Sequence, residues 1–236
     1  MSVLEPLAAR YAGPPPGRGH TDIPPEPDGI VRAMPVILRL DRPPAARTPV
    51  LEAAARAALA LCLDPRAEPD GEWHEAVATW VDNRIRKIAR RARGAHWAAV
   101  QDLPGVTVEV DGAQARALLP GPVDEVPRVV ARLQIGGTDL PVDEPGSPPP
   151  DAPVIWVNGA LGMTVGKAAA QVGHASMLDA AARGLREVPP YAVRTADPQR
   201  WAQLCRAAEH GAAVAVRDAG FTEVAPGTIT TITTPG

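Results

Sequence analysis

Lysine is nearly absent from this chain: of 24 basic residues only Lys87 and Lys167 are lysines, which leaves 22 arginines. A guanidinium is a broad, permanently charged fork, whereas lysine carries a compact ammonium whose pKa moves readily on burial. Lys167 is therefore a candidate for a site that needs a point charge in a tight space. Aromatic residues make up only 3% of the sequence, so packing falls to alanine and valine and a base-stacking platform is not expected. Two cysteines, Cys62 and Cys205, exclude a disulfide scaffold, and each reads as a buried free thiol in an apolar helix. His20, His74, His96, His174 and His210 show no zinc-like spacing, so no metal is expected. No apolar run approaches the ~20 residues that span a bilayer, and the N-terminus lacks signal-peptide character, so a soluble cytoplasmic protein is expected. A net charge of −3 argues against tight nucleic-acid binding by the surface as a whole.

The 236 residues, 45% of them hydrophobic, suffice for two small cores. Residues 1–33, with Pro14-Pro15-Pro16 and Pro24-Pro25, read as a disordered leader. Residues 141–153 combine prolines and acids in a semi-rigid linker. These breaks delimit an α/β domain at 34–140 and a second at 154–236.

The second domain reads β-α-β-α-β-β. Strands are expected at 154–157, 191–195, 213–217 and 228–233. One helix runs from the N-cap Thr164 to Arg183, and another starts at Asp197-Pro198 and ends at Gly211. The fold class is thus α/β, a small mixed four-stranded sheet flanked by helices. The first domain follows a similar order, with a strand at 36–40, helices at 51–63 and 71–92, a helical stretch around Trp97, and strands at 106–110 and 129–135. Leu63-Asp64 matches Leu178-Asp179, Trp97 matches Trp201, and Asp111 before Pro120-Gly121 matches Asp218 before Pro226-Gly227. These recurrences indicate an internal duplication. An unrelated small α/β domain is the rival reading.

In Gly162-Met163-Thr164-Val165-Gly166-Lys167 a lysine opens a helix directly after a strand and a glycine turn, and Lys167, Gln171 and His174 share one helix face. The segment is not a phosphate-cradling loop, because the glycines are one residue too close and Ala168 stands where Ser or Thr would hold magnesium. Taken singly, Asp218 and Thr222 fit an Asx-type turn, Thr228 and Thr230 fit a solvated strand face, and His174 fits a buried helix residue braced by Gln171.

Read together, Met163-Thr-Val-Gly166-Lys167-Ala-Ala-Ala-Gln171-Val-Gly-His174-Ala175 and Asp218-Ala-Gly-Phe-Thr222-Glu-Val-Ala-Pro226-Gly227-Thr228-Ile-Thr230 resemble the two motifs of the archaeal and eukaryotic-type peptidyl-tRNA hydrolases. The resemblance spans most of 154–236. It implies a cytoplasmic translation enzyme that cleaves the ester between a peptide and the terminal ribose of tRNA, a reaction that needs no metal or organic cofactor. Lys167, Asp218, Thr222 and Thr228 are then the catalytic residues, Gln171 and His174 their support, and peptidyl-tRNA the partner. Arg84, Arg86, Lys87, Arg90, Arg91 and Arg93, on a helix expected to end near Gly94, would contact phosphates together with Arg217; a solvated helix face is the duller reading of that run.

The chain also departs from the family. Val157-Asn158-Gly159-Ala160 stands where the family carries Arg and Asp, and the segment 184–190 lacks a Trp-containing turn. The first copy has Glu52 in the lysine position and Pro122 opposite Thr228, so it is expected to be inactive. Because family members are commonly dimers, the duplication implies a pseudo-dimer within one chain, or else a homodimer. Two other functions remain in view: an inactive module that binds RNA or protein, and a hydrolase of another ester or amide.

Overall fold

The computed structural model of the chain describes residues 2–11, 26, 28–137, 139–220 and 223–236. An unbroken apolar run from Ala33 to Leu38, buried at every position, makes β1 (Arg32–Arg39) a central strand. It is followed by the alanine-rich α2 (Arg47–Cys62), α3 (His74–Asp82), β2 (Lys87–Ala92), α4 (Gly94–Val100), β3 (Gly105–Val110), β4 (Ala113–Leu118), the short β5 (Gly121–Pro122) and α5 (Arg128–Ala131). The second half contains β6 (Val154–Asn158), α6 (Val165–Arg183), β7 (Ala192–Ala196), α7 (Pro198–Glu209), β8 (Val214–Arg217) and β9 (Ile229–Thr234).

The two sheets repeat one plan. The first runs β2-β1-β4-β3, with β5 added beside β1, and the second runs β7-β6-β9-β8. In each, the first and second strands pair in parallel and the remaining neighbours are antiparallel. The molecule is therefore α/β with two mixed sheets flanked by helices, as a duplicated arrangement requires. Helix α2 packs on β3 and β4, α6 packs on β8 and β9, and the two helices pack on each other. Each helix also reaches the other half, α2 touching β7 and α6 touching β2. A Cβ added at Gly173 would lie 3.2 Å from the Cβ of Ala58, and the Ser176 hydroxyl donates to Ala55 O at 2.7 Å, so small residues bring the helices close. One apolar core consequently runs from the first sheet through α2 and α6 to the second. Trp97 and Trp201 occupy equivalent places on the outer helices, against separate smaller clusters.

Several sequence expectations need correction. Residues 5–11, read as part of a disordered leader, form α1 (Glu5–Tyr11), with Leu4 and Leu7 buried and contacts to α3 and α6. The remainder of that leader, 12–25 and 27, lies outside the described residues. The helix expected at 71–92 ends at Asp82, and its second part is strand β2. The strand expected at 129–135 is replaced by helix α5 and the loop after it, while β4 was not anticipated. Asp111 and Gly112, both at positive φ, form a two-residue turn between β3 and β4, and Pro120-Gly121 follows β4 instead of preceding it. Pro122 is accordingly no counterpart of Thr228. In the first half the whole loop between Asp218 and Thr228 is reduced to a tight hairpin. Cys62 is a buried thiol as expected, whereas Cys205 is only half-buried, and both are free.

No helix among the described residues is long and apolar enough to cross a membrane. The segment 141–153 contains no helix or strand. Asp143 accepts from the backbone N of Thr48 at 3.0 Å and from its hydroxyl at 2.8 Å, and Gly146 O accepts from Arg194 at 2.8 Å.

Candidate active site

Thr164 caps α6, its hydroxyl accepting from Lys167 N at 3.2 Å, and this fixes Lys167 on the first turn. On the facing strand pair, Asp218 follows β8 and is held by its own loop. Its N donates to Thr228 O at 2.9 Å, its carbonyl accepts from Gly227 N at 2.7 Å, and its Oδ1 accepts from Gly220 N at 2.7 Å. Gly220 and Gly227 both take positive φ, and a Cβ on Gly220 would meet Pro226 at 2.4 Å. Only glycine fits this close return of the chain.

The loop delivers Asp218 to α6. Its Oδ2 accepts from Lys167 Nζ at 2.5 Å and from Gln171 Nε2 at 2.7 Å. Gln171 Oε1 in turn accepts from the Thr230 hydroxyl at 2.6 Å. Lys167 and Asp218 side chains are only 9% and 8% exposed, so the pair is shielded from solvent on most sides. A bulge makes the Thr230 contact possible. Val216 pairs with Thr231 and Arg217 with Ile229, which leaves Thr230 as the extra residue, turned towards α6.

The expected residues do not all meet here. Lys167, Asp218 and Gln171 do, and Gln171 braces Asp218 rather than His174. Thr228 joins through its backbone carbonyl. Thr222 lies outside the described residues. His174 turns to the other half, its Nδ1 3.2 Å from Lys87 Nζ. Thr230 closes the second motif but was assigned no role from sequence; the bulge that recruits it depends on the β8–β9 register, which no local pattern reveals.

The basic run is centred on strand β2, not on a helix: Lys87, Arg90 and Arg91 lie in the strand, Arg84 and Arg86 precede it and Arg93 follows it. Ala89 and Ala92, three apart, imitate helical spacing, yet the strand pairs with β1 along its whole length. Arg90 donates to Leu133 O at 3.1 Å and Arg91 to Gly137 O at 3.2 Å and to Gln134, while Arg86 pairs with Glu26 and Arg93 is exposed. Arg84 is half-buried. Lys87 points inward against the Trp80 ring. Arg217 donates to Gly227 O at 3.3 Å and so ties the Asp218 loop. Strand β2 nevertheless runs beside the site, because a Cβ at Gly166 would lie 3.8 Å from that of Ala89.

Among the described residues no group of three or more His, Cys, Asp or Glu could hold a metal ion. The arrangement joins a cation, a carboxylate, an amide and a hydroxyl in one chain of hydrogen bonds, which is able to orient water and to stabilise an oxyanion. No family model, no curated protein and no solved structure matches the chain.

Proposed function

We propose that the Lys167–Asp218 cluster hydrolyses the ester that joins a peptide to the terminal ribose of tRNA. The observation that carries this reading is the hydrogen-bonded series Lys167–Asp218–Gln171–Thr230, assembled from the two segments that resemble the hydrolase motifs. A carboxylate offers about four lone-pair sites. Among the described residues three of them accept from Lys167, Gln171 and Gly220, and in this reading a water occupies the fourth. Attack by that water on the ester carbonyl forms a carbon–oxygen bond and places negative charge on the carbonyl oxygen, where the Lys167 ammonium stabilises it. Collapse breaks the bond to the ribose oxygen, which takes up the proton lost by the water.

Strand β2 beside Gly166 supports a tRNA-facing surface formed by the first half, with Arg90, Arg91 and Arg93 as its cations. The first half itself has no loop corresponding to 218–228 and is read as inactive. The two halves, with their reciprocal helix contacts, are read as a pseudo-dimer within one chain.

Release of labelled peptide from N-acetyl-aminoacyl-tRNA tests the reading. Wild type is expected to turn over, and Lys167→Ala or Asp218→Ala to lose roughly a hundredfold or more in kcat. An inactive wild type sinks the hydrolase reading, while equal rates in all three proteins sink the assignment of the site.

A further inference from the structure

Two contacts grip the turn before Lys167 from outside its own helix. Arg47, the first residue of α2, is 8% exposed and donates from Nη2 to Met163 O at 2.8 Å and from Nη1 to Leu140 O at 3.1 Å. Glu223, on the far side of the Asp218 loop, accepts from Thr164 N at 3.0 Å and from the Thr164 hydroxyl at 2.6 Å. That same hydroxyl caps Lys167 N. A backbone segment gripped on consecutive residues by a guanidinium and a carboxylate has little freedom to tilt, and Lys167 follows three residues later.

We infer that Arg47 and Glu223 are positioning residues for Lys167, so that the divergent first half of the chain, through Arg47, shares in setting the geometry of a site lying wholly in the second. The inference rests on the hydrolase reading for its kinetic consequence. Arg47 suits the task because its planar fork reaches two carbonyls from separate nitrogens held in a fixed geometry, whereas a lysine donates from a single freely rotating ammonium. Its burial, which pushes the guanidinium pKa down, is opposed by the charges of Asp139, Asp143 and Glu223. Glu223 therefore serves both contacts: it holds Thr164 and offsets the charge of Arg47. A carboxylate is also favoured at the N-terminus of a helix as long as α6. Geometry of this kind matters because a displacement of about 1 Å at a catalytic group costs on the order of a hundredfold in rate.

The test uses the full chain, with Arg47→Met and Glu223→Ala made separately. Each is expected to lower kcat on N-acetyl-aminoacyl-tRNA roughly ten- to hundredfold with KM little changed. Neither is expected to lower the residual rate further in a Lys167→Ala background, because both act through that side chain. Hydrogen exchange read by mass spectrometry is expected to accelerate at residues 164–168 and not in the middle of α2. Unaltered exchange at 164–168, or an equal further loss in the Lys167→Ala background, overturns the inference. If Arg47→Met does not fold, Glu223→Ala carries both measurements. If wild type releases no peptide, the hydrolase reading falls and the exchange result alone decides whether the clamp exists.

Discussion

Lys87 is half-buried as a residue but enclosed at its ammonium, which lies against Ile85 O, the His174 ring, the Trp80 face and, nearby, Cys62. Burial pushes its pKa down from 10.5 to about 7. Cys62 does not titrate in the same range, because burial raises its thiol to about 12. Between pH 7 and 10.5 the unfolded chain therefore binds a proton that the folded chain does not, and stability rises with pH across that window. Below pH 7 both states are charged and the cost of enclosing the ammonium is constant. Lys87→Met is expected to be more stable than wild type at pH 6 and to lose the rise, which should amount to on the order of 2 kcal/mol between pH 7 and 9. Urea midpoints at several pH values measure it, and parallel curves for the two proteins contradict it. Lys167 and Asp218 were legible in the sequence because their neighbours form a motif. Lys87 was not, since its enclosure combines its neighbours Trp80 and Ile85 with Cys62 of α2 and His174 of α6, which are distant along the chain.

At the scale of elements, α2 begins without a capping side chain of its own, its N-cap being Ala46. Asp143 takes that place from the linker by bonding Thr48, which makes the linker part of the helix start. Asp143→Ala is expected to cost about 1 kcal/mol, and Asp143→Asn much less, in thermal or urea unfolding. If both substitutions are silent, the linker does not cap the helix. Elements with a local signature were readable in advance: α6 with its Thr164 cap, α7 with Asp197-Pro198, and the β-branched β9. Strand β4 was missed because Ala113, Ala115 and Ala117, the buried alternate positions, are poor strand formers whose place is fixed by pairing with β1 and β3. Helix α5 was mistaken for a strand because Val129 and Val130 favour β structure, while the start after Pro127 and packing on Trp97 and Val100 decide for a helix. The Asp111-Gly112 turn carries a hairpin signal of its own, which the match to a longer loop obscured.

For the molecule as a whole, the α/β class was legible as a recurring pattern although β2 and β4 of the first half were not read as strands, and the sharing of one core was not legible, because helix-to-helix packing leaves no local periodicity. Ala53, Ala54, Ala57 and Ala58 of α2 and Ala168, Ala169, Val172 and Ala175 of α6 are all buried in the same cluster. Alanine-rich faces bury little apolar area per residue, so each helix depends on the other for a complete interior. Residues 154–236 expressed alone would expose the α2-facing side of α6, including Gly173 and Ser176. Such a fragment has two ways to cover that side: pairing with a second copy through α6, or losing fixed tertiary packing. It is therefore expected either to run as a dimer in size-exclusion chromatography or to lack near-UV circular dichroism. Adding residues 28–140 as a separate chain should restore a monomeric partner complex with native near-UV signal. A monomeric fragment with dispersed amide resonances and a cooperative unfolding transition would show that the second half is self-sufficient. The shared core would then be a contact between two independent folds, and Arg47 would grip the Lys167 turn from a neighbour the fold does not require.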